Sequence, residues 1–203
     1  LYDGIEEELG IKIIGYAENG IRHFATKSKA INTLSDLKGI KLRIVPSTML
    51  TEVMQNLGAA PTSVAYADVY SALQNNVIDG EEINITSIYA MSHYEQLKYI
   101  SEIGMYPFPS FVCVNADFWN SLSEEQQQVW LEAEKISEDY EFATALPEYE
   151  QEAREACVNA GIQFNTIEGA DREAFVETAK KTWDTYRAQD DRIAAFIDAV
   201  SAM

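Results

Sequence analysis

The stretch from Ile40 to Gly80 switches between two apolar periods, and few folds accept that pattern. Ile40 to Val45 alternates in twos, with Ile40, Leu42 and Ile44 on one face and Lys41, Arg43 and Val45 on the other. Ser47 then supplies a helix cap, Leu50, Val53, Met54 and Leu57 fall on one helical stripe, and Gly58 stands where a helix C-terminus needs glycine. After Ala59-Ala60-Pro61, a short extended piece leads to a second helix bearing Val69, Leu73 and Val77, closed by an Asp79-Gly80 turn. Strand, helix, strand, helix in this order predicts an α/β fold.

The flanks extend the pattern. Ile11 to Tyr16 reads as a strand ending near Asn19-Gly20, and residues 97–103 and 109–115 read as two more. Ser123-Glu124-Glu125-Gln126 is a capping box opening a long helix with Val129, Ala133, Ile136, Tyr140 and Ala143 on one stripe. Pro147 is expected to kink or divide that helix. Gly161 to Ile167 predicts one more strand. Two terminal helices follow, one carrying Phe175, Ala179, Trp183 and Tyr186, the other Ile193, Phe196, Ile197 and Val200.

Charge narrows the partners. The 203 residues carry 33 acidic against 15 basic side chains, a formal net charge of −18, with the excess concentrated after residue 121. Such a field repels nucleic acid and anionic membrane surfaces, and no apolar run approaches the ~20 residues that span a bilayer. The acidic second half reads as solvated helix faces. Cys113, inside the strand Phe111-Val112-Cys113-Val114, reads as a small buried hydrophobe, and spacing does not decide whether it meets Cys157. Leu1 to Ile5 reads as the middle of a longer chain.

Motifs for catalysis, phosphate loops and metal binding are missing from the sequence, and no cofactor or metal is expected. His23 and His93 have no second ligand at metal spacing. Glu81 and Glu82 are adjacent on an extended stretch and point to opposite faces, which makes them a poor acid–base dyad. Of the six arginines, Arg154, Arg172, Arg187 and Arg192 lie in acidic helical stretches where surface ion pairing is expected. Arg43 projects from inside a strand, and Arg22 follows the turn Glu18-Asn19-Gly20-Ile21. A buried guanidinium needs an answering carboxylate. Either Glu81, Glu82 or Asp68 supplies it, or a ligand carboxylate does, in a bidentate clamp; the residues alone leave both open.

A longer series of segments resembles the DctP-type substrate-binding proteins of TRAP transporters. It comprises Asn19-Gly20-Ile21-Arg22, Ala30-Ile31-Asn32-Thr33-Leu34-Ser35-Asp36-Leu37-Lys38-Gly39-Ile40-Lys41-Leu42-Arg43-Ile44 and Leu57-Gly58-Ala59-Ala60-Pro61-Thr62. It continues through Tyr66 to Gln74, Val77-Ile78-Asp79-Gly80-Glu81-Glu82, His93 to Tyr99, and Phe118-Trp119 through Leu122 to Gln127. The resemblance implies a two-lobed, periplasmic-binding-protein-like α/β architecture with a long spanning helix from Ser123, the N-terminal part of one lobe being missing. The implied division is residues 1–21 as remnant of lobe I and hinge, 22–104 as lobe II, 105–150 as the return to lobe I with the spanning helix, and 151–203 as the C-terminal strand and helices.

By the same resemblance, Arg43 forms the salt bridge to a small ligand carboxylate, with Arg22 assisting and Tyr66 as the aromatic contact. Glu82 is expected to orient one of the arginines. Relatives usually carry a ligand-touching Asn where this chain has Ile83, with Asn84 next, and often a His where Met105 stands; both changes imply a more apolar pocket and argue against a heavily hydroxylated sugar acid. The implied function is an extracytoplasmic receptor, periplasmic or lipoprotein-anchored, that delivers a carboxylate to TRAP membrane subunits and is not an enzyme. A ligand-sensing module of the same fold is the alternative.

Overall fold

Eight short strands and ten helices cover most of residues 4–202, which the computed structural model describes. The strands are β1 (Ile11–Ile21), β2 (His23–Thr26), β3 (Lys41–Ile44), β4 (Ala60–Ser63), β5 (Gly80–Ile83), β6 (Tyr99–Glu102), β7 (Pro107–Asn115) and β8 (Gln163–Thr166). The helices are α1 (Ile5–Leu9), α2 (Thr48–Asn56), α3 (Val69–Gln74), α4 (Ile85–Ala90), α5 (Ala116–Ser121), α6 (Glu124–Tyr140), α7 (Leu146–Asn159), α8 (Gly169–Ala179), α9 (Lys181–Arg187) and α10 (Asp191–Ser201).

Six strands form one mixed sheet in the order β4-β3-β5-β2-β6-β8. β3 pairs in parallel with β4 and β5, β2 runs antiparallel to β5 and β6, and β8 closes the edge parallel to β6. The two-residue period of β3 sends Leu42 and Ile44 to one face, where Phe24, Met54 of α2 and Phe175 of α8 complete a core. The opposite face carries Ala25 and Ile83 and packs against Val69 and Leu73 of α3, Ile88 of α4 and Ala153 and Cys157 of α7. Leu42 and Ile44 are fully buried, and such burial contributes about 1.5–3 kcal/mol per side chain. The Ser47 hydroxyl accepts from the Leu50 amide at 3.2 Å to start α2. Gly58, at φ +95°, ends that segment in the left-handed region glycine tolerates.

β1 and β7 form a separate two-stranded antiparallel sheet. The chain crosses between the sheets at two adjacent points, sewn together by Arg22 N–H to the Tyr106 carbonyl (2.9 Å) and Met105 N–H to the Arg22 carbonyl (3.0 Å). Glu134 of α6 lies so close to β1 that a Cβ on Gly15 would meet its side chain at 2.3 Å. No helix among the described residues is long and apolar enough to cross a membrane.

Several expectations change here. Cys113 is exposed, because alternate residues of β7 face outward from a sheet with only two strands, whereas Cys157 is buried; both are free thiols. β1 runs on through Asn19-Gly20 to Ile21, with irregular pairing between Glu18 and Ile21. Val77 falls beyond α3 and is exposed. The capping box of Ser123 and Gln126 forms as expected, yet none of the α6 stripe is buried. Pro147 stands in the first turn of α7, directly after a π-helical turn over Glu141–Ala145 that separates α7 from α6, so the long helix is divided just before the proline. The expected penultimate helix is two, α8 and α9, joined at Lys180.

Candidate functional site

The sheet order puts β5 between β3 and β2, which brings Glu81 and Glu82 between the two sequence-singled arginines. Arg22, immediately before β2, is 2% exposed and Glu82 is fully buried. The Arg22 Nε donates to Glu82 Oε2 at 2.9 Å and its Nη2 to Glu82 Oε1 at 2.9 Å, a bidentate pair. Nη2 also reaches the Glu82 carbonyl at 2.7 Å, and Nη1 donates to Asn84 Oδ1 at 2.9 Å. Glu82 in turn accepts from the Tyr106 hydroxyl at 2.7 Å and, weakly, from the Val45 amide at 3.4 Å. Phe108 covers the guanidinium from 4.6 Å. Burial pulls the Arg22 pKa down, but the hydrogen bonds and charge of Glu82 outweigh it and hold the group above its ordinary value. Burial, with Glu82 beside it, pushes the Tyr106 phenol well up. Arg22 is thus charge-satisfied by the protein itself.

Arg43 is not. It is 1% exposed, and its Nε donates to the Val64 carbonyl at 3.0 Å. Among the described residues no carboxylate forms an ion pair with it, although Glu81 is its register partner on the neighbouring parallel strand. Glu81 instead binds His93, Nδ1 to Oε1 at 2.9 Å, with both side chains fully buried. The His93 ring meets Tyr66 edge-on at 6.2 Å between centroids, and Tyr66 contributes to the field at Arg43. Burial is the main influence on Arg43 and pushes its pKa down, with Glu81 and Glu82 opposing that only in part. A desolvated cation whose neighbours under-compensate it favours an anion from outside.

The other residues singled out from sequence divide. Asn84, 1% exposed, joins the Arg22 cluster, and its side-chain amide also donates to the Asn19 carbonyl. Tyr66 is 42% exposed, its hydroxyl 3.4 Å from the Ser87 carbonyl. Ile83 is 1% exposed in the core under α4, on the face of β5 that it shares with Glu81, the register partner of Arg43, and opposite to the face that Glu82 shows to Arg22. Met105 packs on the other core near Tyr106. No sequence motif marks His93 or Tyr106 as members of the cluster; Glu81 is signalled by its place beside Glu82, whereas His93 and Tyr106 are brought in by the fold alone.

Among the remaining arginines, Arg187 pairs with Asp198, Arg192 with Asp190 at 2.8 Å, and Arg154 with Glu102 while stacking on Phe164. Arg172 departs from the expected ion pairing and donates to the Ile103 carbonyl at 3.1 Å. Among the described residues it is the single charged one lining a cavity of about 680 Å³ between α2, the Ile103–Pro109 segment and α8 to α10. Neither Arg43, Tyr66 nor Asn84 lines that cavity, so size alone does not locate the anion chemistry.

The family described as bacterial extracellular solute-binding protein, family 7, matches residues 1–190. A solute-binding protein of Sulfitobacter sp. (strain NAS-14.1) is 32% identical over 193 residues, covering 93% of this chain and 56% of the relative. The C4-dicarboxylate-binding protein DctB of Bacillus subtilis is 25% identical over 187 residues, covering 92% of this chain and 53% of DctB. A TRAP periplasmic solute binding protein from Roseobacter denitrificans, solved with bound β-D-glucuronate, superposes with a TM-score of 0.91 at 29% identity over 97% of this chain and 64% of that one. The chain spans about half the length of the curated relatives it matches.

Proposed function

The chain belongs to bacterial extracellular solute-binding protein family 7, and from that premise we propose that it carries the carboxylate-binding side of a receptor for small organic acids. The observation that carries this reading is Arg43, a cation 1% exposed, held on a strand and given no carboxylate of its own among the described residues. In the proposal Arg43 is the main anion contact and Tyr66 flanks it. Asn84 offers an amide beside Arg22, and Met105 borders the segment that joins the sheets. Arg22 and Glu82 serve as a fixed pair that shapes the site and adds no net charge. Sugar acids belong in the ligand class, which glucuronate in the Roseobacter relative supports.

The proposal extends to the whole protein. It places residues 22–104 in one lobe, with 1–21 and 105–150 leading to and from the other. Bending at the paired crossings of Arg22 and Met105–Tyr106 would close the lobes. Binding without turnover, an extracytoplasmic location and delivery to TRAP membrane subunits complete the reading.

Calorimetry with a panel of D-glucuronate, D-galacturonate and succinate tests it, using the protein and its Arg43→Met variant. Removing one partner of a desolvated charged pair costs about 2–5 kcal/mol, or two decades and more of affinity. A loss below tenfold would assign Arg43 a structural role.

A further inference from the structure

Arg43 and Glu81 are opposite charges in register on adjacent parallel strands, about 4.8 Å apart in the sheet, where side chains of register partners emerge on one face. Both are at most 1% exposed. Such neighbours should pair, and these do not. One Glu81 oxygen is taken by His93 at 2.9 Å, the other has no partner, and Arg43 turns its Nε to the Val64 carbonyl.

We propose that His93 is a positioning residue of the anion site: by holding Glu81 it keeps an internal carboxylate off Arg43 and leaves the guanidinium to the ligand carboxylate. The inference rests on the reading of Arg43 as the anion contact. A carboxylate only accepts, so the His93 Nδ1 carries the shared proton. His93 is well placed for this. It sits in the 3₁₀ turn His93–Glu95 packed on α3 and α4, and its ring also abuts Tyr66, which ties the position of Glu81 to the proposed aromatic contact. The arrangement separates two tasks that one glutamate cannot perform together. Glu81 lowers the cost of burying Arg43 through the field, yet does not occupy the hydrogen bonds that a ligand needs. Arg22 shows the alternative outcome, since Glu82 binds it bidentately and leaves it spent.

The test combines structure and binding. In a crystal structure of His93→Leu, Glu81 is expected to swing to ion-pair distance of Arg43, while in His93→Asn, whose amide replaces Nδ1–H, it stays in place. Glu81 remaining in place in the leucine variant overturns the proposal. With D-glucuronate as probe, His93→Leu should weaken binding at least tenfold, His93→Asn less than threefold. Adding Glu81→Gln to His93→Leu should restore affinity, because a neutral amide does not compete for Arg43; failure of that rescue also overturns it. Should the leucine variant not fold, Glu81→Gln alone decides: binding at least as tight as the parent supports the proposal, and a tenfold loss sinks it. If the parent protein does not bind D-glucuronate, the ligand class falls while the crystallographic arm still judges the role of His93.

Discussion

Replacing Glu82 by alanine removes the carboxylate that answers Arg22 and leaves that guanidinium 2% exposed with only the Asn84 side chain and the residue-82 carbonyl as acceptors. Two charge-assisted hydrogen bonds at 2.9 Å and the acceptor of the Tyr106 hydroxyl are lost together. Breaking a buried pair from one side costs about 3–5 kcal/mol, because the surviving charge stays desolvated. For a chain of this size each kcal/mol moves the melting temperature by about 2–4 °C, so the expected fall is about 6–20 °C. The double replacement Arg22→Met with Glu82→Leu removes both charges, keeps apolar bulk under Phe108 and should recover most of that loss. Urea denaturation and thermal melts of both variants give the measurement. A drop below about 3 °C for Glu82→Ala, or a double variant no more stable than the single one, would refute the view that this pair is a desolvated structural unit.

Three further outcomes are expected. At pH 8 a thiol reagent should modify Cys113 rapidly and Cys157 only on unfolding, because Cys157 is buried and burial pushes its thiol up to about 11; two equally fast thiols would contradict this. Stability should decline as pH falls below the ordinary histidine value of about 6.5. Burial chiefly holds His23 below that value, so the fold prefers the neutral ring, whose Nδ1 accepts from the Gly104 amide at 3.2 Å. The unfolded chain then binds the extra proton, and the stabilisation present above 6.5 is lost on acidification; His23→Asn should flatten this part of the urea-midpoint profile, and an unchanged slope would assign it to other groups. Ile136 on α6 is 71% exposed, so Ile136→Lys should change unfolding free energy by no more than about 0.5 kcal/mol while reducing self-association of the 203-residue chain in sedimentation; a larger stability loss would show that the stripe is covered.

Some of the site is legible in the sequence itself. A guanidinium on β3 between two core residues is an oddity that strand alternation exposes, and the Asp79-Gly80 turn announces that Glu81 and Glu82 begin a strand. Ile83, two residues along β5 from Glu81, shares the face of Arg43, yet only the packing of α4 over that face shows it to be buried in the core. The apolar neighbours of Cys113 point to burial, but a two-stranded sheet has too few layers to bury it.

Local physics, written into short segments, determined the helix caps at Ser47 and Ser123, the glycine end of α2, the strand period of Ile40 to Val45 and hence the α/β class. Those features depend on residues within a turn or two of one another, so the sequence contains them whole. Which glutamate answers which arginine is of another kind. It follows from β5 lying between β3 and β2, and from His93, twelve residues beyond Glu81, folding back beneath it. Arg22 meets Glu82 across 60 residues of chain, and Tyr106 reaches the same carboxylate from 24 residues away. Segment order in a sheet is set by the burial of both faces at once. Only the tertiary structure therefore decided that one buried arginine is neutralised and the other left open.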